Sequence, residues 1–153
     1  MSLQHYISLI HSRFPQLSFR VCTPINEGWD SFVFDLDDTY IFRFARRPEV
    51  EAQFRKETQL LPELARRLTI KVPIPEFLKL DPPPPMIMGY RKIHGEKLTK
   101  LGTHESKEQY ASQLAYLLKV LNSFTLDDSK RLQIPVFRNI DWRERYLSFF
   151  NKV

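Results

Sequence analysis

Residues 19–45, FRVCTPINEGWDSFVFDLDDTYIFRFA, decide the fold. FRVCTPI, SFVFDL and TYIFRFA are rich in β-branched and aromatic residues. The turn-formers Asn26-Glu27-Gly28 and Asp37-Asp38 separate them, so the stretch reads as a three-stranded antiparallel meander. Upstream, Leu3, Tyr6, Ile7, Ile10 and Phe14 recur at helical spacing, and Pro15 closes that helix. Downstream, Pro48 and Glu49 open a second helix with the stripe Val50, Phe54, Glu57, Leu61, Leu64 and Leu68. Pro62 lies inside the stripe and is expected to kink or restart the helix. EFLKL and MIMGYRKI then read as two more strands around Pro82-Pro83-Pro84-Pro85.

After His94-Gly95-Glu96 only helices are expected. One starts near Ser106, where Gln109 completes a capping box, with the stripe Tyr110, Leu114, Leu117, Leu118 and Leu121. Another starts near Asp141, with Trp142, Tyr146, Phe149 and Phe150 as an aromatic stripe to be buried either against the helix of residues 106–122 or, the favoured outlet, across a self-association interface such as a homodimer's. The element order argues for an α+β lobe over residues 1–93 and a connector with the start of a helical segment over 94–153.

Composition narrows the classes. The chain of 153 residues is 42% apolar, with 12 Phe, 6 Tyr and 2 Trp, which excludes disorder for the whole. No apolar run approaches the roughly 20 residues that span a bilayer. MSLQHYISLI lacks the features of a signal peptide, and the single Cys22 makes no internal disulfide; a cytoplasmic location is expected. The net charge of +5 suits phosphate-bearing partners. A basic nucleic-acid-binding domain is the weakest such reading, because Arg46-Arg47, Arg66-Arg67 and Arg91-Lys92 are scattered pairs with no recognition motif.

Two charges break apolar patterns. Glu57 holds a stripe position between Phe54 and Leu61, and burying a carboxylate there requires a partner. Arg43 in the third strand shares a face with Ile41 and Ala45 and can supply one. The alternative is a helix register that leaves Glu57 at the solvent edge.

Five strands, a helix after the third, and a strand-borne cation matched to a helix-borne carboxylate describe the small lobe of a kinase. NEGWDSFVFDLDDTYIFRFARR, EAQFRKETQLLPELARRL, VPIPEF and MGYRKIHGEKL, in that order, resemble the aminoglycoside phosphotransferase family, most closely the branch acting on the 2″-hydroxyl. QYASQLAYLLKVLNSF and DWRERYLSFF continue the likeness more weakly. The resemblance implies a protein-kinase-like N-terminal lobe, a five-stranded antiparallel sheet plus helix, followed by the first helices of the C-terminal lobe. It implies transfer of the γ-phosphoryl of ATP or GTP, with Mg, to a small-molecule hydroxyl in a complete enzyme, as in antibiotic resistance. Gly28 and Ser31 match the loop that positions phosphates, and Arg43 stands where the family often has a lysine for the α- and β-phosphates. Glu57 matches the glutamate that orients that cation. Met88 matches the back of the adenine pocket, and Gly89 and Arg91 the connector whose backbone reads the base edge. Gly95 matches the glycine of an Ile-Pro-Gly turn in which His94 replaces proline.

The catalytic half of that pattern is missing. None of His5, His11, His94 and His104 begins a His-x-Asp motif, and His94-Gly95-Glu96 lies in the connector without the required Asn. The chain therefore resembles the first part of a longer enzyme and is expected to transfer no phosphate by itself. The alternative class is a non-catalytic nucleotide-binding or dimerising module.

Overall fold

The computed structural model describes residues 2–25, 30–83, 85–95 and 104–134. Its elements are α1 (Leu3–Arg13), β1 (Cys22–Ile25), β2 (Ser31–Leu36), β3 (Tyr40–Ala45), α2 (Pro48–Arg67), β4 (Pro75–Lys79), β5 (Ile87–Arg91), α3 (His104–Asn122) and α4 (Leu126–Arg131). The five strands form one antiparallel sheet in the order β1-β2-β3-β5-β4. The last strand thus lies inside the sheet, between β3 and β4.

Strand alternation gives the sheet two different faces. One carries Phe34, Phe42, Phe44 and Ile87, and α1 covers it with Tyr6, Ile10 and Phe14. Tyr6 meets the Phe32, Phe34 and Phe44 rings at centroid distances of 5.2, 4.7 and 4.9 Å. The other face carries Ala45, Met86 and Met88, against which α2 lays Val50 and Phe54.

Asp37 and Asp38 both have φ of 53°, the two left-handed residues of a tight hairpin turn between β2 and β3. The Asp37 carboxylate accepts the N–H groups of Arg20 (3.1 and 3.0 Å) and Val21 (2.6 Å). Those donors are lost to the ladder, so β1 begins at Cys22 and not at Phe19 as the sequence suggested.

Pro62 does not restart α2, which runs unbroken through it. The proline removes one N–H, but buried Phe54 on one side and buried Glu63 and Leu64 on the other hold the flanking turns. α3 is described from His104, so the expected start at Ser106 lies inside the helix. Its stripe is largely exposed: Tyr110, Leu114, Leu118 and Leu121 are open, and only Leu117 is half-buried. α4 was not foreseen; Thr125 caps it in a reciprocal box with Asp128. The expected helix with Trp142, Tyr146, Phe149 and Phe150 lies outside the described residues. Among the described residues no helix is long and apolar enough to cross a membrane.

Candidate functional site

The sheet face that α2 only partly covers collects the unusual side chains. Ile25, Val33, Arg43, Met88 and Leu78 form one rung across all five strands. The next rung on the same face is Thr23, Asp35, Ile41, Tyr90 and Pro75. Arg43 is flanked by Val33 and by fully buried Met88, so its guanidinium has one outlet, toward α2.

There it meets Glu57. Arg43 Nη1 donates to Glu57 Oε2 at 2.6 Å and Nη2 to Oε1 at 3.4 Å, a two-pronged pair with side chains only 20% and 17% exposed. Gln53 Nε2 donates to the same Oε1 at 3.1 Å, and the Arg43 guanidinium lies 4.8 Å over the Phe54 ring. The partner required by Glu57 is therefore Arg43, and the solvent-edge alternative is excluded. A guanidinium has five N–H donors, and Glu57 takes two; the remainder can bind the oxygens of a phosphate.

The other expected site residues are distributed unevenly. Ser31 opens β2 on the Arg43 face; its Oγ is buried and makes no hydrogen bond among the described residues. A hydroxyl without a described partner keeps its hydrogen free to donate. Gly28 lies outside the described residues. Gly89 and Arg91 lie inside β5, not in the connector as expected. Gly89 pairs with Phe42 on one side and Phe77 on the other, so its backbone belongs to the sheet. An added Cβ would stand 2.7 Å from Phe42 Cζ, which gives this glycine a packing reason. Arg91 points to the opposite face from Arg43, with its guanidinium 5.5 Å from the Tyr40 centroid and Nε 3.5 Å from Glu76 Oε1. Among the described residues, Gly95 has no atom within 4 Å of a would-be Cβ.

Lys92 directly follows β5. Its Nζ binds Asp35 Oδ2 at 2.5 Å and also Asp38, which ties the segment after β5 to the β2–β3 hairpin. Both bonds raise the lysine pKa, and the bond to Lys92 lowers that of Asp38. His94 Nδ1 stands 3.7 Å from Asp38 Oδ2, beside this anchor, and Glu96 lies outside the described residues.

Sequence reasoning missed Tyr90. It sits on the same face as Met88, partnered with Ile41, and burial raises its pKa while Arg43 lowers it and Glu57 raises it. The signal was available: Tyr90 is two residues from Met88 and so shares its face. Among the described residues no group of three or more His, Cys, Asp or Glu is placed to hold a metal ion.

A profile of the phosphotransferase enzyme family matches residues 21–150. No curated protein matches the chain. Solved structures do. The GDP complex of wild-type aminoglycoside 2′-phosphotransferase-IIIa superimposes with a TM-score of 0.84 at 24% identity, over 97% of this chain and 50% of that one. The streptomycin–ATP ternary complex of APH(2″)-IIa gives 0.66 at 20% identity, over 86% and 43%. Macrolide 2′-phosphotransferase MphH from Brachybacterium faecium gives 0.51 at 22%, over 61% and 31%. The chain spans about half the length, or less, of the structures it matches. The fold is that of a protein-kinase-like N-terminal lobe, a five-stranded antiparallel sheet with its helix, followed by further helices.

Proposed function

The chain belongs to the phosphotransferase enzyme family, and on that premise we propose that residues 1–93 are its nucleotide-binding lobe and 94–153 the connector and start of a helical lobe. The observation that carries this reading is the two-pronged Arg43–Glu57 pair on a partly open sheet face. Arg43 holds the α- and β-phosphates of ATP or GTP, and Glu57 keeps the guanidinium from folding away. Buried Ser31 and the loop that includes Gly28 approach the phosphates, while Met88 and Tyr90 wall the base. Backbone groups after Arg91, where the sheet ladder ends, read the base edge.

In a complete enzyme this lobe presents the γ-phosphoryl to a hydroxyl of a small molecule, and support for an aminoglycoside or macrolide acceptor comes from the acceptors named for the relatives. Such an enzyme needs residues that hold magnesium and a base that takes the hydroxyl proton, and this sequence has no His-x-Asp motif to provide that base. The 153-residue chain alone therefore binds nucleotide weakly and transfers nothing.

Displacement of a fluorescent ATP analogue by ATP tests both halves. We expect saturable binding with Kd in about the millimolar range, since magnesium contributes no clamp. No radiolabelled phosphate should reach an aminoglycoside. Absence of saturable binding would overturn the nucleotide reading, and measurable transfer would overturn the inactivity of the chain.

A further inference from the structure

The second half of α2 carries a charge network that lies outside both the sheet and the proposed nucleotide site. Glu63 is only 8% exposed on this helix, a costly place for a carboxylate without partners. It has three. Arg66 Nη2 stands 2.8 Å from Oε2, and Arg67 Nε and Arg131 Nη2 stand 2.9 and 3.3 Å from Oε1. Arg67 then reaches across to α4, donating from Nη2 to Asp128 Oδ1 at 2.8 Å, and Arg131 binds the same oxygen at 3.1 Å.

Arg67 is gripped at other points as well. Its guanidinium lies 4.2 Å over the Phe124 ring, and its carbonyl accepts the Tyr116 hydroxyl at 2.9 Å. Residues from α3, the α3–α4 turn and α4 thus converge on one arginine. Just past α4, buried Leu132 lines a cavity with Ala52, Arg55 and Gln59 on the first half of α2. The helical segment therefore binds α2 beyond Glu57 and faces its first half across that cavity.

A shared, multi-partner network differs from a lone surface ion pair, which contributes little. Its charges also stay fixed: the Thr125 N–H, Arg67 and Arg131 hold the Asp128 carboxyl far below its ordinary range. Arg67 lies ten residues beyond Glu57 on one continuous helix, about 15 Å along the axis. A helix transmits axial displacement as a rod, and a slip by one residue is about 1.5 Å. The Arg43–Glu57 bonds, at 2.6 and 3.4 Å, do not survive that.

We propose that Glu63, Arg67, Asp128 and Arg131 are positioning residues: they latch α2 to the helical segment and so hold Glu57 at the height of Arg43. The inference rests on the nucleotide-site reading for its functional meaning. The latch itself can be judged without it.

Asp128→Asn in the full chain keeps the side-chain shape and removes the charge. Affinity for ATP should fall about fivefold, and in a Glu57→Gln background the same substitution should change it by less than about twofold. A merely structural role would give equal losses in both backgrounds, and that result overturns the latch. Amide exchange over residues 55–59, read without nucleotide, should quicken about fivefold in Asp128→Asn. It should stay unchanged in Asp127→Asn, whose exposed carboxylate meets, among the described residues, only Lys130 at 3.2 Å. Unchanged exchange in Asp128→Asn, or the same quickening in Asp127→Asn, overturns the latch. If the wild-type chain binds no ATP at all, the nucleotide reading fails and the exchange result alone decides the latch.

Discussion

Gly89→Ala should destabilise the chain by about 2 kcal/mol and lower Tm by about 8 °C. The new Cβ would lie 2.7 Å from Phe42 Cζ and 2.9 Å from both Cε atoms, inside contact distance. The ring has no room to yield. Phe42 is fully buried, with Phe14 edge-on at 5.6 Å and Phe77 tilted at 5.4 Å. Overpacking of that kind costs more than the small gain from removing a glycine from a strand. The clash is specific to the ring, so Phe42→Leu should be less harmful in the alanine background than in wild type. Thermal melts of the two single variants and the double variant measure this coupling. A Gly89→Ala chain that melts with wild type would mean that β5 does not run against Phe42 as described.

The largest effect on binding should come from Arg43→Ala, with ATP affinity lowered more than about thirtyfold and Glu57→Gln lowered about tenfold. The two differ for a physical reason. Without Arg43 the Glu57 carboxylate stays on the sheet face, mostly shielded from water, and repels the phosphates. Without the Glu57 charge the guanidinium survives but loses the two bonds that aim it. Arg43→Lys should fall between these, because an ammonium keeps the charge and loses the fork. Competition titrations at one fixed salt concentration compare all three. Equal affinities across the set would separate this pair from nucleotide binding altogether.

Much of the small lobe was legible because its signals are local. Alternation in SFVFDL and YIFRFA sets two faces, and the two-residue Asp37-Asp38 turn allows only antiparallel pairing of them. Arg43 and Glu57 stood out because each interrupts an apolar pattern of known period. What was misread depends on contacts far apart in sequence. The Asp37 carboxylate reaches back 17 residues to the Arg20 N–H and shortens β1. Glu63 lies beside the expected α2 stripe, and its partner Arg131 and their shared neighbour Asp128 come from an unforeseen helix. That helix had a readable start, since Thr125 and Asp128 have capping-box spacing. The stripe of α3 was read correctly as apolar, but periodicity does not say what covers it: Leu114 remains 56% exposed. Gly89 was assigned to the connector because its neighbours resemble one, whereas the ring beneath it is visible only in three dimensions.

The sheet face bearing Arg43, and not the face beneath α1, is expected to take the nucleotide. Methyl-labelled NMR during an ATP titration reads both faces at once. Val33, Ile41 and Met88 report the Arg43 face, while Ile10, Leu17 and Ile87 report the α1 face. The account predicts saturable shifts at Val33, Ile41 and Met88 that vanish in Arg43→Ala, with Ile10, Leu17 and Ile87 unmoved. Shifts confined to the α1 face, or undiminished by Arg43→Ala, would contradict it.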